Sequence, residues 1–268
     1  MKTYYPFLDK IYVFDNSENI DHAHWFQDFK KVQYFGDGKN EGLAKRLNQA
    51  ARIAILEGFE WLLTMDQDSH FESGSFEMYE NCIAGYREKD KVALFGTAWG
   101  REFKTSSPAC TAETSAFVIT SGSFVNLKVF KEVGGFDENL FIDLIDHEYA
   151  KRAELAGFPS IQFNNVYLRH ELGQQVNKGS IKSFYLLKKK KIVHSPIRCY
   201  YMYRNMLYVE KKFKQSDPVF TQKMCRIVKS GIQNTLLYGP KTIEVVKHIQ
   251  LAKKDFQSGK MGKLETPL

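Results

Sequence analysis

The sequence predicts an α/β fold with a mostly parallel central sheet and a helical C-terminal region. Short β-branched and aromatic runs alternate with segments of helical periodicity over the first two thirds of the chain. Helical patterns predominate from about Ser183 onward. The 268 residues, 43% hydrophobic and 26% charged, suffice for one large domain or a domain with an appendage. We therefore expect an α/β domain over residues 1–183 and a mostly helical, basic region over 184–268.

Turn signals delimit the first predicted elements. KIYVFDNS (10–17) is a strand pattern that ends in Asp-Asn-Ser, and KVQYFG (31–36) is a second strand before the breaker run GDGKN. Asn40 is a candidate N-cap for a helix in EGLAKRLNQAARIAILEGF (41–59), where apolar residues recur at helical spacing. EWLLTMD (60–66) is the next predicted strand.

The later elements continue the alternation. The predicted elements are strands VALFGTAW (92–99) and AFVITSGSFV (116–125), a helix over 144–156, the strand NVYLRH, and helices in RCYYMYRNMLYVEKKF and DPVFTQKMCRIVKSGIQNTLLYG. Ligands of parallel α/β sheets bind beyond the carboxyl ends of the strands. Asp15 and Asp66 both fall at such ends, so we expect a ligand site there.

Cysteine spacing and the lack of long apolar runs bear on location. The four cysteines, Cys82, Cys110, Cys199 and Cys225, form no C-x-x-C pair. This spacing argues against a zinc site or a disulfide scaffold and favours a reducing compartment. No signal-peptide pattern and no uncharged apolar stretch of roughly 18 residues is visible, so no membrane-spanning helix is expected. The sequence therefore predicts a cytoplasmic location.

The formal charge of +7 is concentrated late in the chain. Lysines crowd KGSIKSFYLLKKKK (178–191) and the tail from Lys241. Such a basic region is suited to phosphates or to an anionic membrane surface, although lysine runs are more often simply solvated. No nucleic-acid-binding signature accompanies it, so nucleic acid is not an expected partner.

Two groups of carboxylates suggest chemistry. Asp66 and Asp68 follow the apolar half of WLLTMDQDSHFE, where oxygen ligands suit magnesium or manganese. Asp143, Asp146 and Glu148 lie in FIDLIDHEYAKR, at the predicted start of a helix. Each group has a simpler explanation, a polar turn for the first and compensation of the helix dipole for the second.

Four stretches together resemble the family 2 glycosyltransferases, inverting enzymes with the GT-A fold. The stretches are VFDNSE, KNEGLAKRLNQA before WLLTMDQDS, TSGSFVNLKVFKEVGGFDENLFIDLIDHEYAKRAELAGF, and LRHELG. The likeness is to the rhamnosyltransferase-like subgroup. It implies transfer of a sugar, such as rhamnose from dTDP-rhamnose, from a nucleoside-diphosphate donor to a glycan acceptor in bacterial surface polysaccharide synthesis. A lipid-linked acceptor and Mn²⁺ or Mg²⁺ as cofactor are further implications.

The resemblance assigns roles on the donor side. Asp15 and Asn40 would approach the donor nucleotide. Asp66 and Asp68 match the metal-binding pair, and Asp66 would also contact the nucleotide. His170 would complete the metal site. An Asx-turn, a helix cap and a satisfied polar partner remain the simpler explanations for Asp15, Asn40 and His170.

Further roles concern the acceptor. Alignment on Arg152 places Asp146 at the position of the catalytic base, which deprotonates the acceptor hydroxyl. Ser121 and Gly122 match the sugar and acceptor pocket. Asp143 is a further candidate for substrate binding, as is Arg204, for which core packing is the alternative.

One difference from the resembled family concerns the N-terminal part. Family members begin with a strand that contributes to the nucleotide pocket, and no such strand is visible before Lys10. The resemblance therefore leaves two alternatives open. One is a non-catalytic or truncated relative that acts as a binding protein. The other is a sugar nucleotidyltransferase, which also places Asp-x-Asp carboxylates on an α/β sheet to hold magnesium, although this N-terminus lacks the glycine- and arginine/lysine-rich loop with which those enzymes usually open.

Overall fold

The computed structural model describes residues 3–18, 22–100, 109–170, 174–179 and 188–265. The strands are β1 (Ile11–Asp15), β2 (Val32–Gly36), β3 (Trp61–Thr64), β4 (Ser69–Phe71), β5 (Leu94–Gly100), β6 (Ala112–Thr114), β7 (Ser123–Asn126), β8 (Ser160–His170), β9 (Gln174–Gly179) and β10 (Lys188–Val193). The α-helices are α1 (Leu43–Leu56), α2 (Ser75–Ala84), α3 (Leu127–Val133), α4 (Ile145–Leu155), α5 (Pro196–Phe213), α6 (Pro218–Tyr238) and α7 (Thr242–Gln257). The chain divides into two compact units, residues 1–138 with 145–171, and residues 139–144 with 172–268.

The N-terminal elements confirm the sequence pattern. β1 and β2 pair in parallel and end side by side, with Asp15 opposite Gly36. Helix α1 follows and buries the alanines on one of its faces. The predicted N-cap is wrong, because Gly42 occupies that position. The Asn40 side chain instead accepts a hydrogen bond from the Gly42 amide at 3.2 Å, which folds the chain just before the helix.

The central sheet of the first unit is mixed, which corrects the prediction of a mostly parallel sheet. Its order is β3-β7-β5-β8-β4, and β6 also pairs with β8. Among these described pairs only β5 and β8 run parallel. Residue alternation indicates which face of a strand is buried, but it carries no information about the direction of the partner strand. The α/β sandwich itself is confirmed.

The predicted strand over 116–125 is largely replaced by a turn. Only its end lies in β7, because Gly122 has a φ of +76° and reverses the backbone immediately before that strand. The amide of Gly122 donates to the Thr64 carbonyl at 2.8 Å. This turn therefore lies against the end of β3.

Aromatic side chains fill the core of the first unit. Phe71, Phe76, Tyr79, Phe95 and Phe163 are each at most 1% exposed. The rings of Phe95 and Phe163 stack with centroids 5.6 Å apart across the parallel strand pair. Burial of each such ring stabilises the fold by about 1.5–3 kcal/mol. The high aromatic content of the chain thus has a structural role here.

A disulfide joins Cys82 of α2 to Cys110, against the expectation from cysteine spacing. The two residues are 28 positions apart in sequence, and their Cα atoms lie 5.6 Å apart. Asn165 of β8 lies beside both ends, since its side chain contacts the Cys82 sulfur and accepts from the Thr111 amide. The pairing arises because both segments pack on β8, and it removes the cysteine argument for a reducing compartment.

The second unit contains an antiparallel hairpin and three helices. The hairpin, β9 with β10, lies in and just before the region expected to be mostly helical, and part of the predicted basic run, residues 180–187, lies outside the described residues. Helix α5 packs against both α6 and α7. The boundary expected at residue 183 stays a prediction. Within the described chain, none of the helices is both long and apolar enough to cross a membrane.

Candidate active site

Asp66, Asp68 and His170 form the group in the described chain that could hold a metal ion. Their ligand atoms all lie within 4.8 Å of one another. The antiparallel register of β4 and β8 sets Ser69 opposite His170, which brings the imidazole to Asp68 across 102 positions of sequence. His170 Nδ1 is 3.4 Å from Asp68 Oδ1 and 2.7 Å from the Ser69 hydroxyl. Two carboxylates and one imidazole are a donor set that fits Mn²⁺ or Mg²⁺.

Three consecutive residues before β7 connect this cluster to Asp146. The Ser121 hydroxyl accepts a hydrogen bond from the Asp66 amide at 3.1 Å. The Thr120 amide donates to Asp146 Oδ2 at 3.3 Å. Gly122 holds the end of β3, as described above. Ser121 is 1% exposed, so its observed contacts are those of a positioning residue. Roles for Ser121 and Gly122 in substrate binding remain predictions.

Asp146 lies in the first turn of α4 with its side chain 16% exposed. Its Oδ1 atom accepts from the His147 amide at 2.9 Å and lies 2.6 Å from His147 Nδ1. Burial disfavours the carboxylate, but the charge and hydrogen bonds of His147 and the Thr120 amide outweigh it and lower the pKa of Asp146. An ionised carboxylate near neutral pH is ready to accept a proton.

The other acid of this segment within α4 has a structural partner. Glu148 is completely buried and receives two hydrogen bonds from Arg152, at 2.8 Å from Nε and 3.0 Å from Nη2. The same guanidinium also donates to the carbonyls of Val133 and Gly135. Glu148 and Arg152 thus join α4 to the end of α3, while Asp146 belongs to the candidate site.

Asp15 and Asn40 lie in a second group, at the carboxyl ends of β1 and β2. Asp15 accepts hydrogen bonds from the Ser17 amide at 2.8 Å and the Tyr34 hydroxyl at 2.8 Å, and it lies 2.6 Å from His22 Nδ1. Burial opposes ionisation, yet these bonds hold the pKa of Asp15 well below its usual range. The hydrogen bond from the Ser17 amide forms the Asx-turn that was one interpretation of Asp15. A nucleotide role for Asp15 stays a prediction.

Arg46 ties the two loops of this group together. Its Nε donates to Asn16 Oδ1 at 2.9 Å, next to Asp15, and its Nη2 donates to the Lys39 carbonyl at 2.9 Å, next to Asn40. Arg46 is 6% exposed, and its guanidinium also pairs with Asp37. The fold thus brings the DNS and GDGKN segments together, as expected for one ligand site.

Asp143 lies in the second unit, in an unusual backbone conformation. In the described chain, Asp143 and Leu144 are the non-glycine residues with positive φ, at 66° and 65°. The Asp143 carboxylate pairs with Arg198 at 2.9 Å. The buried Asn205 amide donates to the carbonyls of Ile142 at 2.7 Å and Asp143 at 3.0 Å. Strained backbone of this kind is common at functional sites. The predicted role of Asp143 in substrate binding stays open.

Arg204 is enclosed in the second unit. It is 1% exposed and donates to the Tyr200 hydroxyl at 3.0 Å and the Gly262 carbonyl at 2.6 Å. Its guanidinium also lies over the rings of Tyr200 and Tyr201. These contacts favour the packing interpretation, and a diphosphate contact remains a prediction.

Sequence reasoning missed His147 and His22, the imidazoles beside Asp146 and Asp15. His147 is adjacent in sequence to the predicted base, so a search for donors next to each candidate acid would have found it. His22 is seven positions from Asp15, and no local sequence pattern indicates that the two side chains meet.

Comparison with known proteins confirms the resemblance to glycosyltransferases. No protein-family profile matches the chain. The chain is 28% identical over 220 residues to the dTDP-rhamnosyl transferase RfbF of Shigella flexneri, covering 75% of this chain and 71% of that protein. Its fold is similar to that of the mannosyltransferase PcManGT from Pyrobaculum calidifontis, solved with GDP-Man and Mn²⁺. The TM-score is 0.53 at 11% identity, and the match covers 94% of this chain and 73% of the other.

A second solved structure is GalNAc-T7 with UDP, GalNAc and Mn²⁺. The TM-score is 0.49 at 14% identity, with 62% of this chain and 38% of that chain covered. Together with the order of elements, the mannosyltransferase match confirms the predicted GT-A fold, with helices C-terminal to the α/β part.

Proposed function

We propose that this chain, a nucleotide-sugar glycosyltransferase with the GT-A fold, is a metal-dependent inverting enzyme. The observation that carries the proposal is the Thr120–Gly122 turn, which hydrogen-bonds to both Asp66 and Asp146. A candidate metal cluster and a candidate base are thereby held by adjacent backbone positions. That arrangement is what a reaction needs when a diphosphate leaves and a hydroxyl attacks.

On the donor side, Asp66, Asp68 and His170 would hold the cation. When bound, a divalent cation neutralises charge on the donor diphosphate and makes the nucleoside diphosphate a better leaving group. Ser69 and Ser121 keep the ligands in place through the His170 ring and the Asp66 amide. The Asp15 and Asn40 loops, joined by Arg46, would take the nucleotide.

On the acceptor side, Asp146 would remove the proton of the attacking hydroxyl. A carboxylate with a lowered pKa remains ionised, so the base is present throughout the neutral range. Proton transfer to such a positioned base contributes typically about 10²–10⁴-fold to rate. The sugar bond to the diphosphate breaks as the bond to the acceptor oxygen forms, so a single displacement inverts the anomeric carbon.

The sequence likeness to a dTDP-rhamnosyl transferase favours dTDP-rhamnose as the donor. We extend the proposal to a glycan acceptor carried on a lipid diphosphate in bacterial surface polysaccharide synthesis. The lysine-rich run LLKKKK (186–191) and the lysine-rich tail from Lys241 would then contact the anionic membrane surface, where each lysine contributes roughly 1 kcal/mol. Co-sedimentation with vesicles should rise with anionic lipid content and fall with salt, and indifference to both would exclude this contact.

Calorimetry provides the first test of the enzyme. We expect dTDP or UDP to bind in the presence of Mn²⁺ and to bind much more weakly after chelation. Release of nucleoside diphosphate, rather than pyrophosphate, during turnover would exclude the nucleotidyltransferase alternative. Failure of both nucleotides to bind would support the non-catalytic alternative and refute the enzyme.

Asp146→Asn tests the assigned base. Transfer should fall by about 10²-fold or more while nucleotide affinity stays close to that of the wild type. Glu154→Gln is the matched control, because Glu154 lies on the same helix and its carboxylate pairs with Lys151 instead. Reduced nucleotide affinity with normal turnover in Asp146→Asn would contradict the role given to Asp146.

A further inference from the structure

We propose that His147 is the positioning residue for the base: it holds Asp146 by Oδ1 and leaves Oδ2 to take the proton of the acceptor hydroxyl. The inference rests on the proposed function and adds a residue that the sequence motifs did not assign. It also distinguishes between the two oxygens of one carboxylate.

The hydrogen bonds to the two oxygens of Asp146 are unequal. Oδ1 receives the His147 backbone amide at 2.9 Å and lies 2.6 Å from Nδ1 of the same residue. Among the described residues, Oδ2 receives only the Thr120 amide, at 3.3 Å. A carboxylate oxygen accepts about two hydrogen bonds. Oδ1 is therefore saturated, and Oδ2 keeps the capacity to accept a further proton.

The His147 ring is held in place by its surroundings. Its side chain is 17% exposed, and its ring forms a T-shaped contact with the Phe117 ring, with centroids 5.2 Å apart and planes at 80°. Nδ1 carries a proton both in imidazolium and in the neutral tautomer that donates to a carboxylate. The ring therefore donates to Asp146 Oδ1 in either of these forms.

Among the described residues, His147 is the titratable group that contacts Asp146. From the segment before β7, the Thr120 amide and the Phe117 ring face the pair, and neither titrates. On α4, the neighbouring Glu148 is neutralised by Arg152. Consistent with this geometry, burial raises the pKa of Asp146, but the charge and hydrogen bonds of His147, together with the Thr120 amide, lower it by more.

Two substitutions separate hydrogen-bond donation by the His147 ring from its packing against Phe117. His147→Phe keeps an aromatic ring against Phe117 but removes the donor. His147→Asn loses the ring but places a side-chain N–H where Nδ1 was. We expect His147→Phe to lower kcat by about 10²-fold, the effect of a misplaced catalytic group, with an unchanged KM for the donor. His147→Asn should recover most of that loss.

A second readout does not depend on turnover. Carbon-13 NMR titration should show a higher pKa for the Asp146 carboxyl in His147→Phe than in the wild type, and the acid limb of kcat should move to higher pH with it. An unchanged Asp146 pKa, or equal losses of kcat in the Phe and Asn variants, would overturn the inference. Absence of nucleotide binding by the wild type would instead refute the proposed function, while the NMR titration would still decide the role of His147.

Discussion

Gly122 is the position where one methyl group should disturb both the fold and the candidate site. Its φ of +76° is a conformation that L side chains rarely adopt. A Cβ atom there would lie 2.9 Å from Leu168 Cδ2 and 3.3 Å from Thr97 Oγ1, and Leu168 is completely buried. Gly122→Ala should therefore combine backbone strain of about 1–2 kcal/mol with overpacking of about 1–3 kcal/mol.

Urea denaturation of Gly122→Ala and a control would separate these two contributions. The control is Gly157→Ala, because Gly157 has a φ of +92° and a Cβ atom added there would meet nothing within 4 Å. The free energy of unfolding should fall in the control by the backbone strain alone, about 1–2 kcal/mol. In Gly122→Ala it should fall by strain and overpacking together, about 2–5 kcal/mol. Transfer should fall only in Gly122→Ala, since its turn holds Asp66 and Asp146. Equal losses of unfolding free energy in the two variants would refute the close packing of Gly122 against Leu168.

Three other perturbations have defined outcomes. Glu148→Gln breaks the buried pair with Arg152 and should lower the free energy of unfolding by roughly 3 kcal/mol in urea titrations. A loss near zero would contradict a structural role for Glu148. Asp15 has a depressed pKa, so its contribution to stability is present above its ordinary value of 3.8 and is lost as pH falls through the lower folded value. Asp15→Asn should therefore destabilise the protein at neutral pH and reduce the decrease in unfolding free energy that denaturation measures as the pH falls. An unchanged pH dependence would exclude a link between Asp15 ionisation and stability. Asp68→Ala should make nucleotide binding insensitive to Mn²⁺ in calorimetry, and retained Mn²⁺ dependence would exclude Asp68 as a ligand.

Local sequence patterns were sufficient to predict those helices and strands that depend on their own residues alone. The strand at 11–15, the strand at 32–36 and the helix after them follow from residue type, turn signals and periodicity. Asp66 and Asp68 could be placed at a strand end for the same reason. The resemblance to glycosyltransferases singled out Asp146 among the acids at the start of α4 and added His170.

Pairings between distant segments could not be read from the sequence. The disulfide between Cys82 and Cys110 forms because α2 and the segment before β6 meet at β8, and neither cysteine has a local signature of that meeting. The hairpin of β9 and β10 was likewise missed, because its lysine-rich second strand lacks the alternation that identifies a half-buried strand.

The sequence by itself determined the alternation of strands and helices, the carboxylates at the end of β3 and the acids at the start of α4. Only the tertiary structure decided which of them lie close together. Register between β4 and β8 brought His170 to Asp68, the Thr120–Gly122 turn linked Asp66 to Asp146, and Arg152 set Glu148 apart from the candidate site. The physical reason is that side-chain chemistry is encoded residue by residue, whereas the distances between those side chains depend on packing between segments far apart in the chain.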